Sequence, residues 1–138
     1  MYLLDGEADP HPRKNFVRDL LKLLTQAKQD DQDIILLGDF NEVVGDDPKM
    51  MARILVKANL TDVHAHKHDY ANIATYIRGR CRVDYCFVSA RILDHVLRCG
   101  FEAFHARKVC DHRGYFLDLS MIGLFNRRLP AIVNPAER

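Results

Sequence analysis

Ile34-Ile35-Leu36-Leu37-Gly38-Asp39-Phe40-Asn41 is the stretch on which the reading of the whole chain turns. Its first four residues form a short, continuous apolar run with β-branched members, bounded by Asp33 and Gly38. That is the pattern of a strand buried on both faces. Upstream, Phe16, Val17, Leu20, Leu21, Leu23 and Leu24 recur with helical spacing between Arg13 and Lys28, and Pro12 stands where a proline suits the first turn. The polar break at 29–32 ends that helix. A helix leading into a buried strand is half of an α/β unit, so the fold class is α/β.

Working outward, Asp46-Asp47-Pro48 reads as a helix start, with Met50, Met51, Ile54 and Leu55 as the apolar face that follows. Residues 73–77 and 83–89 read as two strands separated by the turn Arg78-Gly79-Arg80. A short helix is expected over 90–97, then strands over 101–104 and 114–120. After Met121 the periodicity fades and Pro130 and Pro135 appear, the pattern of a loose tail. The motif residues fall in loops at strand ends, where a sheet can hold side chains still for binding.

The chain has 138 residues, the size of one ordinary domain or of half a large one. At 48% hydrophobic and 28% charged it can fill a core and stay soluble, which argues against disorder throughout. A net charge of +1 demands no polyanionic partner, but phosphate binding depends on local clusters such as Arg78, Arg80 and Arg82. The four cysteines, Cys81, Cys86, Cys99 and Cys110, form no C-x-x-C pair. With no secretory pattern at the N-terminus and no membrane-length apolar stretch, they read as reduced thiols of an intracellular protein, nucleus or cytoplasm left open.

Three short motifs can carry chemistry. In Gly38-Asp39-Phe40-Asn41, a glycine lets the backbone turn while a carboxylate and an amide two residues apart can hold a water and a phosphate oxygen together. The same residues could simply form an Asx-turn that ends the strand. In Val83-Asp84-Tyr85-Cys86-Phe87-Val88 the one charge is Asp84, and a carboxylate inside an apolar strand is costly unless paired. Its partner is either Arg82 or Arg80 in a salt bridge, or a histidine. Cys110-Asp111-His112 supplies the histidine, and Asp111 is a hard oxygen ligand of the kind Mg²⁺ prefers.

In this order the three motifs resemble the endonuclease/exonuclease/phosphatase superfamily, which includes abasic-site endonucleases and the endonucleases of non-LTR retrotransposons. The resemblance covers about residues 13–121, with Cys110-Asp111-His112-Arg113 where the family usually has S-D-H. Thr75-Tyr76 ahead of Arg78-Gly79 resembles the retroelement members. The resemblance implies metal-dependent phosphodiester hydrolysis, with nucleic acid as substrate and Mg²⁺ or Mn²⁺ as cofactor. It implies that Asp39 orients and deprotonates the attacking water and that Asn41 holds that water and contacts the phosphate or a metal. Asp84 would fix His112, His112 would stabilise charge on the phosphoryl oxygen, and Asp111 would bind the metal. Tyr76, Arg78 and Arg82 are the candidates for contact with substrate.

The family fold is a four-layer sandwich of two related α/β halves, and the first half normally supplies a metal-binding glutamate. Twelve residues precede the helix at Arg13, and Glu7 among them lies in a turn-like context that does not earn that role. The expectation is therefore the second half of the sandwich, one mixed sheet with flanking helices, as an N-terminal remnant (1–12), a half-domain (13–121) and a tail (122–138). Its metal site would be incomplete, and an apolar sheet face would await the missing half or a second chain. A catalytically inactive fragment is the competing expectation. His64, His66 and His68 alternate as strand residues on one face could, with Zn²⁺ or Ni²⁺ as ligand, but read as a polar surface loop.

Overall fold

The computed structural model describes residues 11–44, 51–69, 72–104 and 110–126. The opening helix α1 (Pro12–Gln29) has proline in its first turn and Lys28 in its last, where a cation complements the helix dipole. Leu24 is buried, and Val17, Leu20 and Leu21 pack beside it, whereas Phe16 and Leu23 face solvent. The chain then enters β1 (Ile35–Asp39). Helix α2 (Met51–Ala58) leads to a two-residue strand β2 (Thr61–Asp62) and a short helix α3 (Val63–Lys67). Strand β3 (Asp84–Val88), the single-turn helix α4 (Ala90–Leu93), β4 (Val96–Phe101), β5 (Tyr115–Leu119) and α5 (Met121–Phe125) complete the order.

Strand β3 is the centre of a three-stranded sheet in the order β1-β3-β2, with both pairings antiparallel. Its position explains its composition: Tyr85, Cys86, Phe87 and Val88 are all buried because both faces are covered. Alternate residues serve two cores. Tyr85 and Phe87 join Leu24, Ile54, Ala58 and Leu60 under α1 and α2. Cys86 and Val88 join Val63, Ile92, Val96 and Cys99 on the opposite face, beneath an antiparallel hairpin of β4 and β5.

The α/β class holds, with corrections. The expected single mixed sheet is instead two separate antiparallel sheets among the described residues. Strand β1 is not buried on both faces. Leu36 and Gly38 are half-buried, while Ile35 and Leu37 are about half exposed at 46% and 54%. A continuous apolar run marks either a doubly covered strand or a strand with one uncovered apolar face, and periodicity cannot separate them. Residues 73–77 form no strand, only a single bridge between Tyr76 and His112. The expected helix over 90–97 stops at Leu93, and β4 has begun by Val96, ahead of the strand expected at 101–104.

Residues 62–69, read as a loop, contain the end of β2 and the whole of α3, whose N-terminus Asp62 caps by accepting from the Ala65 N–H at 3.2 Å. Residues 121–125 are helical where a loose tail was expected, because the Ser120 hydroxyl accepts from Gly123 N–H at 3.2 Å and Asn126 closes the turn in the left-handed region. Glu7, the Asp46-Asp47-Pro48 helix start and the two tail prolines lie outside the described residues. No helix among the described residues is long and apolar enough to cross a membrane.

Candidate active site

The register of β1 against β3 sets Asp39 directly opposite Asp84. Like charges across an antiparallel pair repel, so this end of the sheet calls for a cation. His112 meets both carboxylates. Its Nδ1 lies 2.9 Å from Asp84 Oδ2 and its Nε2 lies 3.9 Å from Asp39 Oδ2. The hydrogen bond to Asp84 raises the His112 pKa above its ordinary value, and the charges of Asp84, Asp39 and Asp111 add to the effect against the opposing cost of burial. The imidazole therefore holds its proton to higher pH than an isolated histidine.

His112 arrives from the connection between β4 and β5, and a short ladder fixes that connection. Ile77 N–H donates to the Asp111 carbonyl at 2.8 Å, and Arg113 N–H donates to the Thr75 carbonyl at 2.8 Å. The Tyr76 ring packs against the imidazole with centroids 5.0 Å apart. Thr75 is fully buried, and its hydroxyl oxygen accepts from the backbone N–H groups of Val83 and Asp84 at 3.0 and 3.2 Å. One segment, 75–77, thus holds both members of the Asp84–His112 pair. The guanidinium of Arg113 ties the same region together by donating to the carbonyls of Ala74 and Glu102.

Asp39 and Asn41 form the turn that the sequence left open, and also a site. Asn41 N–H donates to Asp39 Oδ1 at 2.9 Å, which is the Asx-turn bond, and the Asn41 amide donates to Asp39 Oδ2 at 3.0 Å. Asn41 sits at φ 50°, a left-handed conformation that asparagine tolerates better than most residues. Gly38 is not what bends the chain. It is an ordinary strand residue with open space where a side chain would begin. The turn holds the Asp39 carboxylate against Asn41 and 3.9 Å from His112 Nε2, and these two partners line a groove of about 500 Å³ together with Tyr76, Arg80, Cys81 and Asp111, among others.

Most of the residues expected at the site converge: Asp39, Asn41, Tyr76, Asp84, Asp111 and His112. The arginines divide differently. Arg82 is a correction on two counts, because it is not part of this groove's lining and pairs with Asp62 rather than Asp84. Its guanidinium is buried, forms an ion pair with Asp62 and lies 4.3 Å from the Tyr85 ring centroid. Arg78 is exposed and outside the groove lining, whereas Arg80 is part of that lining. Thr75 was not singled out for a structural role. A hydroxyl set among Ile73, Ala74, Tyr76 and Ile77 was its only signal.

Asp39, Asp84 and His112 place one ligand atom each within 4.8 Å of one another, so the cluster could hold a metal ion. The oxygen donors of Asp39, Asn41 and Asp111 suit a hard cation in kind. Asp111 stands outside that three-residue cluster and lines the groove beside His112.

The sequence matches the model of the Endonuclease/Exonuclease/phosphatase family over residues 5–112, a span that contains every residue of this cluster. No curated protein matches the sequence. Among solved structures, the 3′ phosphatase NExo from Neisseria, in a complex with product DNA hairpin, is similar in fold with a TM-score of 0.58 at 20% identity. The likeness covers 86% of this chain and 59% of that one.

Proposed function

This chain belongs to the endonuclease/exonuclease/phosphatase family, and from that premise we propose that it hydrolyses phosphoesters of nucleic acid in a metal-dependent reaction. The observation that carries the reading is the meeting of Asp39, Asp84 and His112, with Asn41 bonded to Asp39 and with His112 and Asn41 lining a groove. Asp84 holds the imidazole and favours its protonated form, and the imidazolium would serve as a donor to a phosphoryl oxygen in the groove. Asp39 orients a water and accepts its proton, with the Asn41 amide fixing the direction of the carboxylate. Mg²⁺ or Mn²⁺ would be held by Asp111 with Asp39 and Asn41, and when bound it supplies Lewis-acid stabilisation of charge on the phosphate. Tyr76 and Arg80 at the groove suit stacking and phosphate contact.

DNA is the substrate class favoured by the similar 3′ phosphatase, which binds a DNA hairpin. A mobile-element endonuclease is the subtype the Thr75-Tyr76 and Arg78-Gly79 residues favour. The test incubates the protein with plasmid, abasic duplex and 3′-phosphorylated duplex in Mg²⁺, beside Asp39→Ala and His112→Ala. Turnover by the wild type and a loss of about 10²–10⁴-fold in each variant is expected. Equal background turnover by all three would end the claim of autonomous activity.

A second reading is a non-catalytic half that needs a further layer. Ile35 and Leu37 favour it, since both are apolar, about half exposed and on the same face of β1 as Asp39. A second chain or segment covering that face would complete the sandwich and could add metal ligands. Recovery of turnover on mixing with a separately expressed first half from a family member would support this reading over simple inactivity.

A further inference from the structure

The histidines at 64 and 68 are not a surface loop. His64 is buried on α3, and His68 follows one turn later at the end of that helix. This i, i+4 spacing puts both rings on one side, with centroids 4.5 Å apart. His66, between them, is exposed and takes no part. Facing the two rings across the second core is Cys99 of β4, which is buried. Its Sγ lies 3.7 Å from His68 Nε2, and one ligand atom from each of the three residues lies within 4.8 Å of the others.

We propose that His64, His68 and Cys99 form a second metal site, selective for a thiophilic divalent cation such as Zn²⁺. In a tetrahedral zinc site, Zn–S of about 2.3 Å and Zn–N of about 2.0 Å separate the sulfur and nitrogen by roughly 3.5 Å. The sulfur-to-His68 distance is already close to that value, and no two of the three ligand atoms are more than 4.8 Å apart. His68 is exposed, so water can reach a fourth position. On binding, the Cys99 thiol proton leaves to solvent and His68 exchanges its 3.0 Å hydrogen bond with the Cys99 carbonyl for the metal. Cys86 lies in the same core but is not among the three side chains whose ligand atoms converge. The ligand set differs in kind from the oxygen-rich groove and shares no residue with it. A metal here would staple α3 to the β4–β5 hairpin.

The test titrates the metal-free, reduced full chain with Co²⁺ and then Zn²⁺ and reads the near-ultraviolet thiolate-to-Co²⁺ charge-transfer band. The wild type should show the band, and Zn²⁺ should remove it. Cys99→Ser should abolish it. His68→Ala, at the exposed ligand where folding is least at risk, should weaken Co²⁺ binding by more than about tenfold. His66→Ala, Cys110→Ser and Asp84→Asn should leave the band intact, which separates this site from other thiols and from the groove. Absence of the band in the wild type, its persistence in Cys99→Ser, or unchanged affinity in His68→Ala would each overturn the proposal and leave three residues packed as core.

Discussion

Asp62 and Asp84 lie on neighbouring strands of one sheet, and each takes a cation of a different kind. Asp62 pairs with Arg82, and both side chains are shielded from solvent. Asp84 pairs with His112, whose ring is 29% exposed at the groove. Arginine does not titrate in proteins, so the first pair is a fixed strut that also caps α3 through Asp62. Histidine titrates near neutral pH, so the second pair can hold or release a proton where a substrate can meet it. The same acid–base motif is a shielded strut in one place and a partly exposed, titratable pair in the other, and burial with the choice of cation sets the difference.

Breaking the strut should have the largest effect. Arg82→Ala strands the Asp62 carboxylate away from water and should cost about 3–5 kcal/mol of stability. Urea unfolding would measure it, and a loss below about 1 kcal/mol would show the pair to be solvated. Thr75→Val should follow. It leaves the Val83 and Asp84 N–H groups without their acceptor and should cost roughly 1–3 kcal/mol in the same experiment. It should also loosen Asp84 and reduce turnover, whereas Arg82→Ala, where folded, should spare turnover per folded molecule.

The titrating pair makes a prediction with a sign. Because Asp84 raises the His112 pKa, the stability this pair adds is fully present below the ordinary imidazole value of about 6.5. It is lost as pH rises through the raised folded-state value. The stability difference between wild type and Asp84→Asn should therefore shrink as pH rises over that range, while the Arg82→Ala difference stays level. NMR titration of the His112 ring should show a lower pKa in Asp84→Asn than in wild type. An unchanged pKa would mean that Asp84 does not govern the imidazole. The smallest effect expected is Tyr76→Ala, which removes one ring contact worth about 0.5–1.5 kcal/mol and should cost more in turnover than in stability.

The site was more legible than the frame that carries it. Asp84 stood out as one charge in an apolar run, and the need to pair it led to His112. The sheet was harder to read because Ile34-Ile35-Leu36-Leu37 has the same composition whether one face or two are covered. Arg82 was misplaced for a related reason. Arg82 stands two residues ahead of Asp84, a spacing that allows the pair, but Asp84 is held by His112 and Arg82 by Asp62 on β2, a strand too short to announce itself. The grouping of His64 and His68 without His66 depended on helical spacing, which a window of five residues does not reveal.

The central claim is that the protonated His112, held by Asp84, stabilises charge during metal-dependent phosphoester hydrolysis. The most direct measurement is the pH profile of Mg²⁺-dependent DNA hydrolysis by wild type and Asp84→Asn, side by side. The account predicts that activity falls on the alkaline side as His112 loses its proton, and that this limb moves to lower pH in Asp84→Asn with a drop in maximal rate of about 10²–10⁴-fold. Identical profiles and rates for the two proteins would contradict it.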